Sequence, residues 1–259
     1  MNLRSVLTRI AAGSRQDSPP EPAQFASLLP RTPEPLARLR DLARTVNSSG
    51  GTYHKLSFQP DLVFEGDYDL SRFLVHYDLP EQLDGKTVLD VGTAAGFWSL
   101  ECARRGGSVL AIDTYAVSLF GEIASCLSAP ISYAQRSVYD LSTSDGTFDL
   151  VVCGSVLLHL PDPLGALRAI RSVCRGSLIV STASTADSEV TSRPVCDFHG
   201  QRAADGDYYT YWALSAAALT NLLRTAGFAD IEKPRHFVLE SEPGRTRFAT
   251  RHVVVTACV

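Results

Sequence analysis

The chain has 259 residues, of which 45% are hydrophobic and 20% charged, and its formal net charge is −4. This composition predicts a globular protein with a sizeable core, and the acidic balance argues against a nucleic-acid partner, whose phosphates require clustered Lys and Arg. No apolar run reaches the ~18 residues needed to span a bilayer, so no membrane partner is expected. The six cysteines form no C-x-x-C pair, which favours reduced, buried thiols and a cytoplasmic location.

Residues 1–48 are basic and rich in proline, and we interpret them as a segment separate from the main domain, residues 49–259. The prolines between residues 18 and 35 exclude one long helix. A helix over residues 35–46 is predicted to lie outside the core sheet. The segment is either a cap over a substrate pocket or, for residues 1–30, a poorly ordered surface arm.

Residues 50–69 are predicted to form an acidic loop studded with aromatic residues. Tyr53 and His54 at its start are candidate substrate-binding residues. The acids that follow are Asp61, Glu65, Asp67 and Asp69. The loop is interpreted either as the lip of an active site or as a solvated surface loop. A short helix over residues 71–77 then leads to the first core strand.

A strand, a glycine-rich turn, a helix and a second strand follow in close succession. The first strand, residues 87–91, contains Asp90, and Gly92 and Gly96 then break it. A helix is predicted over residues 97–105, and the second strand, from residue 108, ends on Asp113. The turn lets a ligand approach the backbone, the helix start offers unpaired N–H groups, and the acid can accept hydrogen bonds from ribose hydroxyls. This unit therefore predicts a nucleoside-binding site.

Strands and helices continue to alternate towards the C-terminus. Helices are predicted over residues 118–127, 164–173 and 215–226, and strands over residues 131–134, 148–152, 177–181, 231–239 and 251–256. The alternation indicates a parallel sheet, and the short turn between the last two strands requires an antiparallel hairpin. The predicted fold class is therefore α/β, with a Rossmann-like, doubly wound, seven-stranded sheet that is mostly parallel and has a C-terminal antiparallel hairpin.

Residues 182–212 show no strong periodicity and are interpreted as an insertion in this domain. Its candidate substrate-binding residues are His199, Tyr208, Tyr209 and Trp212. The rings are typical of a wall for a planar or apolar acceptor, although Tyr211 and Trp212 could equally pack the last helix on the sheet. No metal site is predicted, because Asp197 and His199 have no third ligand at a suitable spacing.

On these motifs, residues 50–259 resemble the class I S-adenosylmethionine-dependent methyltransferases. Their acid-x-Gly-x-Gly-x-Gly fingerprint is matched from Asp90 to Gly96, with Ala94 in place of the middle glycine. The Tyr-His pair and the Leu-His-Leu-Pro-Asp-Pro segment after strand 148–152 resemble the branch that carboxymethylates the tRNA wobble uridine, and its small-molecule relatives. A nicotinamide-dependent reductase is disfavoured, because the turn lacks a G-x-G-x-x-G pattern for two phosphates.

The resemblance implies S-adenosylmethionine as the cofactor and suggests which residues contact it. Asp90 and Gly92 would face its methionine half, and Asp113, beside Thr114, would hold the ribose hydroxyls. Gly96 would let the helix pack closely. The other implied cofactor contacts are Thr93 and Ala94 in the turn, Phe97 as a wall, Val138 and Tyr139 beside the adenine, and Ser155 beside the sulfonium. Ala94 is compatible with this cofactor, which has no pyrophosphate to accommodate.

His159 is the candidate general base, because it follows a strand at the carboxyl edge of the sheet, where ligands bind. A packing or capping role is the alternative. The expected function is methyl transfer to an oxygen or nitrogen of a small-molecule acceptor, secondary metabolites included. The alternatives are a tRNA wobble-uridine transferase with a carboxylated cofactor, for which Lys55 is a candidate cation, and a cofactor-binding protein without transfer activity. The oligomeric state is left open, with a homodimer as one option.

Overall fold

The computed structural model describes residues 24–186, 192–202, 209–245 and 249–259. The strands in these residues are β1 (Thr52–His54), β2 (Leu56–Gln59), β3 (Leu62–Phe64), β4 (Gly66–Tyr68), β5 (Thr87–Val91), β6 (Ser108–Asp113), β7 (Ile131–Gln135), β8 (Phe148–Gly154), β9 (Cys174–Ala183), β10 (Cys196–Arg202), β11 (Tyr209–Leu214), β12 (Arg235–Glu240) and β13 (Ala249–Cys258). The α-helices are α1 (Pro33–Ser48), α2 (Phe97–Arg104), α3 (Ser118–Cys126), α4 (Pro163–Val173) and α5 (Ala216–Ala226).

Seven of these strands form one sheet in the order β12-β13-β9-β8-β5-β6-β7. The five strands from β9 to β7 are parallel, while β13 is antiparallel to both of its neighbours. This confirms the predicted mostly parallel sheet with a C-terminal antiparallel hairpin. In the sheet, β6 lies on one side of β5 and β8 lies on the other. The loops after β5 and β8 therefore diverge and leave a crevice at the carboxyl edge of the sheet.

Helices cover both faces of the sheet, which explains why its central strands are apolar on both sides. Val88 and Val152 pack into a core with α2, α3 and the N-terminal segment. Leu89 and Val151 pack into a second core with α4 and α5. Neighbouring side chains of β5 and β8 point to opposite faces of the sheet, so each of these strands contributes to both cores.

Two predicted irregular regions contain regular structure. Within residues 50–69, β1 pairs with β4 and β2 pairs with β3 in two small sheets. The prediction of a loop was wrong because alternate residues, such as Leu56 and Phe58, are buried. Glu65 and Asp67 lie between buried residues, and Asp69 is itself buried. A period of two indicates strands even in an acidic segment.

The predicted insertion, residues 182–212, also contains regular structure. Its first two residues belong to β9, and β10 and β11 form an antiparallel ribbon in which Phe198 is opposite Trp212. The candidate Tyr208 and the N-terminal residues 1–23 lie outside the described residues. Free thiols are buried, as predicted, at Cys102, Cys126, Cys153 and Cys174, but Cys196 is exposed on the ribbon and Cys258 is half-buried.

Helix ends agree with their sequence signals. The Asp162 carboxylate accepts a hydrogen bond from the N–H of Gly165 at 2.8 Å and caps α4, and Ser215 caps α5 through the N–H of Ala218. Gly227 ends α5 with a φ of +100°, a conformation in which glycine carries no Cβ penalty. The predicted helix over residues 71–77 is a 3-10 helix, Leu70–His76.

Candidate active site

A cavity of about 470 Å³ lies at the carboxyl edge of the sheet, beside the crevice between the loops after β5 and β8. Its size is within the range of small-molecule sites. One end is formed by the loops after β5, β6 and β7. The other is formed by the small N-terminal sheets, the loop after β8, and residues of β11 and β12.

The turn after β5 is shaped by residues with left-handed backbone. Gly92 has a φ of +73°, and a Cβ there would lie 2.4 Å from Cγ2 of Val156, so glycine keeps the loops after β5 and β8 in close contact. Ala94 has a φ of +47° and lines the cavity. Its N–H donates to Oδ2 of Asp113 at 3.0 Å. The middle position of the fingerprint therefore holds the alanine in a conformation that glycine adopts more readily.

Asp113 at the end of β6 is held in place from two sides. Its Oδ2 accepts from the N–H of Ala94, and its Oδ1 accepts from the N–H of Tyr115 at 3.2 Å. The residue lines the cavity together with Thr114. A fixed carboxylate at this place can accept further hydrogen bonds from a vicinal diol, as predicted for the ribose.

The structure brings six predicted cofactor residues to the cavity and leaves five away from it. Gly92, Ala94, Asp113, Thr114, Val138 and Ser155 line it, while Asp90, Thr93, Gly96, Phe97 and Tyr139 do not. Asp90 is fully buried and accepts a hydrogen bond from Oγ of Ser99 at 2.6 Å. Burial raises the pKa of Asp90 to about 6. Thr93 lies 3.2 Å from Ser99 through their hydroxyl oxygens, so Asp90 and Thr93 support the turn from behind.

Gly96 and Phe97 contribute to packing behind the cavity. Gly96 starts α2 with a φ of +93°, and a Cβ there would lie 2.1 Å from the ring of Phe120 in α3. Phe97 is buried behind His54, with ring centroids 6.1 Å apart. The neighbouring Trp98, which the motif did not indicate, lines the cavity instead. Tyr139 is 40% exposed, and its hydroxyl donates to the carbonyl of Asp162 at 3.1 Å.

The loop after β8 is fixed by a hydrogen-bonded chain that begins at Tyr77. The Tyr77 hydroxyl donates to Oγ of Ser181 at 2.9 Å inside the protein. The N–H of Ser155 is 3.0 Å from the Ser181 carbonyl and 3.1 Å from its Oγ. Ser155 has a φ of +58°, and it lines the cavity with Tyr77. The network therefore holds Ser155 in an unusual backbone conformation at the site.

His159 lies in the 3-10 turn Leu157–His159 and lines the cavity. Its Nδ1 is 2.9 Å from the carbonyl oxygen of Tyr209. Because a carbonyl only accepts, Nδ1 carries the proton, and the lone pair of the neutral ring is on Nε2. Burial lowers the pKa of His159 below its ordinary value. The side chain is thus oriented, and neutral at neutral pH, as a general base requires.

The predicted substrate residues divide into two groups. Tyr53, His54 and Tyr209 line the cavity, whereas His199 is exposed on β10. Trp212 does not line it; its Nε1 donates to the carbonyl of Leu160 at 3.1 Å and anchors the ribbon beside the site. Lining residues absent from the sequence predictions include Tyr115 and Arg136, which lie in the same loops as the predicted Thr114 and Val138. Others are Tyr68, Leu70, Tyr77, Tyr211 and Leu239. This second group reaches the cavity through long-range packing, which no local pattern indicates.

The predicted cap helix does not contribute to the cavity. α1 packs against α3 and β3, buries Leu39 and Ala43, and supplies no lining residue. In the described ranges, no group of three or more His, Cys, Asp or Glu side chains is arranged to hold a metal ion. The described helices are each too short or too polar to cross a membrane.

The sequence matches the methyltransferase domain family over residues 66–233. The chain belongs to the class I S-adenosylmethionine-dependent methyltransferases. The predicted family, fold class and cofactor are thereby confirmed.

Proteins similar in sequence to this chain include ubiquinone biosynthesis O-methyltransferases. The protein of that name from Xanthomonas campestris pv. campestris is 39% identical over 107 residues, which are 39% of this chain and 44% of that protein. The chain thus aligns with less than half of the length of that relative. The corresponding protein of Xanthomonas euvesicatoria pv. vesicatoria is 30% identical over 178 residues, which are 66% of this chain and 73% of that protein.

Solved structures show the same fold. The N-terminal domain of EvdMO1, crystallised with S-adenosylhomocysteine (SAH), has a TM-score of 0.59 and 20% identity, covering 85% of this chain and 96% of that chain. An S-adenosylmethionine-dependent methyltransferase from Methanosarcina mazei has a TM-score of 0.54 and 21% identity, covering 70% of this chain and 93% of that chain. At these identities the likeness concerns the fold alone.

Proposed function

We propose that this chain transfers a methyl group from S-adenosylmethionine to an oxygen or nitrogen of a small-molecule acceptor. The observation that carries the proposal is a single cavity that joins the anchored carboxylate of Asp113 to His159 and a wall of aromatic rings. A nucleoside cofactor and a second ligand can therefore meet in one cavity. The named O-methyltransferases among the relatives support oxygen as the acceptor atom.

The residues present at the β5–β7 end fit this cofactor. Asp113 would accept hydrogen bonds from the ribose hydroxyls, and the backbone at Gly92 and Ala94 gives the ligand close access. Val138, which is buried at the cavity wall, offers an apolar contact for the adenine. Bound here, S-adenosylmethionine supplies an electrophilic methyl group on a sulfonium.

The residues at the other end would prepare the acceptor. Holding the nucleophile in line removes much of the entropic barrier to a bimolecular displacement. Nε2 of His159 would take the proton that a hydroxyl or amine loses, which typically contributes about 10²- to 10⁴-fold in rate. The Tyr209 carbonyl keeps the ring in the tautomer that can do so.

The alternative of a wobble-uridine transferase has less support at this site. A carboxylated cofactor needs a cation, and Lys55, the candidate, does not line the cavity. Arg136 does line it, but its guanidinium is already paired with Asp145. The Nζ of Lys55 lies 4.0 Å from Asp69 and 3.8 Å from Glu242. Two carboxylates therefore already balance this charge. The net charge of −4 also opposes binding of RNA.

The proposal is tested by following label from methyl-labelled S-adenosylmethionine. The full chain is incubated separately with a small-molecule fraction and an RNA fraction of a bacterial extract, and His159→Gln serves as a matched control. We expect label in small molecules with the wild type and almost none with the variant. Label in RNA alone, or tight cofactor binding with no transfer to either fraction, would contradict the proposal.

A further inference from the structure

The part of the cavity away from Asp113 is lined mainly by aromatic rings. This ring wall consists of Tyr53, Tyr68, Tyr77, Trp98, Tyr209 and Tyr211. Its members are already packed in pairs, with centroids 5.0 Å apart for Tyr53 and Tyr68, 4.4 Å for Tyr77 and Trp98, and 5.5 Å for Tyr209 and Tyr211. Leu70 and Leu239 complete it. Such a surface favours flat, apolar ligands through ring stacking.

Charged side chains are confined to the other end. Among the described residues that line the cavity, Asp113 and Arg136 are the charged ones at neutral pH. Asp113 is the last residue of β6 and Arg136 follows β7, so both belong to the end formed by the loops after β5, β6 and β7, which we call the nucleoside end. The guanidinium of Arg136 forms an ion pair with Asp145 and a hydrogen bond to the carbonyl of Asp140. An acceptor on the ring wall therefore meets no counter-charge from these residues.

The two imidazoles of the wall region do not supply a positive charge either. His54 is 5% exposed, and its Nδ1 has no hydrogen-bond partner among the described residues. Burial lowers the pKa of His54 to about 3, and burial also lowers the pKa of His159. Both rings are neutral at neutral pH. His54 thus adds a polar but uncharged group to an apolar surface.

We propose that the acceptor is an uncharged aromatic molecule with a hydroxyl group, and that the ring wall with His54 selects it over acceptors carrying a carboxylate or phosphate. The inference rests on the proposed function and names the substrate class of the same site. An anionic acceptor would lose its hydration on entry and gain no cation in return, which is unfavourable. A neutral aromatic acceptor loses little hydration and gains ring contacts.

The test uses two probes that differ by one charge, 2-naphthol and 6-hydroxy-2-naphthoate. Both have the same hydroxyl on the same ring system, and calorimetry measures their binding to the full chain saturated with SAH. We expect 2-naphthol to bind at least about tenfold more tightly, because only the second probe must bury an unpaired carboxylate. Equal binding, tighter binding of the naphthoate, or binding of neither would overturn the proposal.

A charge-adding variant tests the role of His54 directly. His54→Arg places a cation in the wall and should shift the preference towards 6-hydroxy-2-naphthoate by about tenfold or more. His199→Arg makes the same substitution on the exposed face of β10 and should leave both affinities unchanged. His54→Leu remains neutral and should keep the preference for 2-naphthol. If a folded His54→Arg variant keeps the wild-type preference for 2-naphthol, His54 does not contribute to acceptor selection.

The outcomes separate this inference from the proposed function. SAH affinity and thermal unfolding first establish that each variant is folded; should His54→Arg fail to fold, the wild-type comparison of the two probes decides alone. Preference for 2-naphthol without label transfer to any small molecule would overturn the proposed function and leave only the preference of the ring wall for uncharged aromatic ligands. Label transfer to small molecules together with a preference for the naphthoate would overturn the acceptor class alone.

Discussion

The two ends of the cavity are built in different ways. The nucleoside end comes from three successive loops between residues 92 and 138, and its central contacts are backbone amides and one carboxylate, Asp113. The other end, which we assign to the acceptor and call the acceptor end, gathers side chains from five separate parts of the chain, from Tyr53 to Leu239 and including Trp98 of α2. A local, backbone-based site suits a ligand that a whole family shares. A site assembled from distant side chains can change its ligand without disturbing the fold.

The largest expected effect concerns His159, at the acceptor end. His159→Gln should lower the turnover number by about 10³-fold, because it removes the proton acceptor, while SAH affinity stays within about twofold. In the wild type, activity should fall as the pH drops through the pKa of His159, which lies below its ordinary value because of burial. Methyl-transfer rates between pH 4.5 and 8 measure this decrease in activity. A variant with unchanged turnover would exclude His159 as the base.

The next effect concerns packing at the nucleoside end. Gly96→Ala should destabilise the protein by about 3 kcal/mol, because its Cβ would overlap the Phe120 ring and strain a left-handed backbone. Gly121→Ala in α3 is the matched control, since a Cβ there meets nothing within 4 Å, and it should be neutral or slightly stabilising. Urea unfolding measures both. Equal stability of the two variants would contradict this account of the turn.

Removing the carboxylate of the nucleoside end should affect binding more than stability. Asp113→Ala should weaken SAH binding about 100-fold, the loss expected for charge-assisted hydrogen bonds to a diol. Asp113→Asn should recover part of it, because one oxygen still accepts. Calorimetry measures the affinities. An Asp113→Ala variant that binds SAH as tightly as the wild type would refute the ribose assignment.

Acid should destabilise the acceptor end through His54. The unfolded chain binds a proton near pH 6.5, whereas the folded state resists protonation until about pH 3. Stability is therefore lost as the pH falls below 6.5, by about 1.6 kcal/mol between pH 6.5 and pH 5. Unfolding of the wild type and of His54→Leu is compared at both values, so that other titrating groups cancel. An equal loss of stability in the wild type and in His54→Leu would contradict the view that His54 is buried and neutral.

The smallest expected effect comes from the Tyr77 hydroxyl. Tyr77→Phe removes its hydrogen bond to Ser181 and should destabilise the protein by about 1 kcal/mol. Because Ser181 holds the loop with Ser155, we also expect turnover to fall by roughly threefold, with SAH affinity unchanged. Steady-state rates and calorimetry separate the two quantities. A loss of SAH affinity alone would mean that Tyr77 belongs to the nucleoside end.

The difference between the two ends of the cavity explains how much of the site could be predicted from the sequence. The turn from Asp90 to Gly96 and the acid Asp113 are close in sequence, so their motif identified the nucleoside end. His159 was predicted because the end of a parallel strand lies at the ligand edge. Its partner, the carbonyl of Tyr209, is 50 residues away, and no local pattern connects the two.

Two misplacements have specific physical reasons. Phe97 and Trp98 are adjacent at the start of α2, and the motif does not say which ring turns towards the cavity; the structure places Trp98 there and Phe97 behind His54. The acids of residues 50–69 suggested a loop, but the buried residues between them form the small sheets. These sheets bring Tyr53 and His54 to the site.

The most direct test of the account is a crystal structure of the full chain with SAH. The proposed division of the cavity predicts that the ribose hydroxyls lie within hydrogen-bond distance of Asp113. It also predicts that the sulfur faces His159 and the ring wall, so that a methyl group would point into the acceptor end. A nucleoside bound outside the cavity, or a sulfur turned away from His159, would contradict the proposed division of the site.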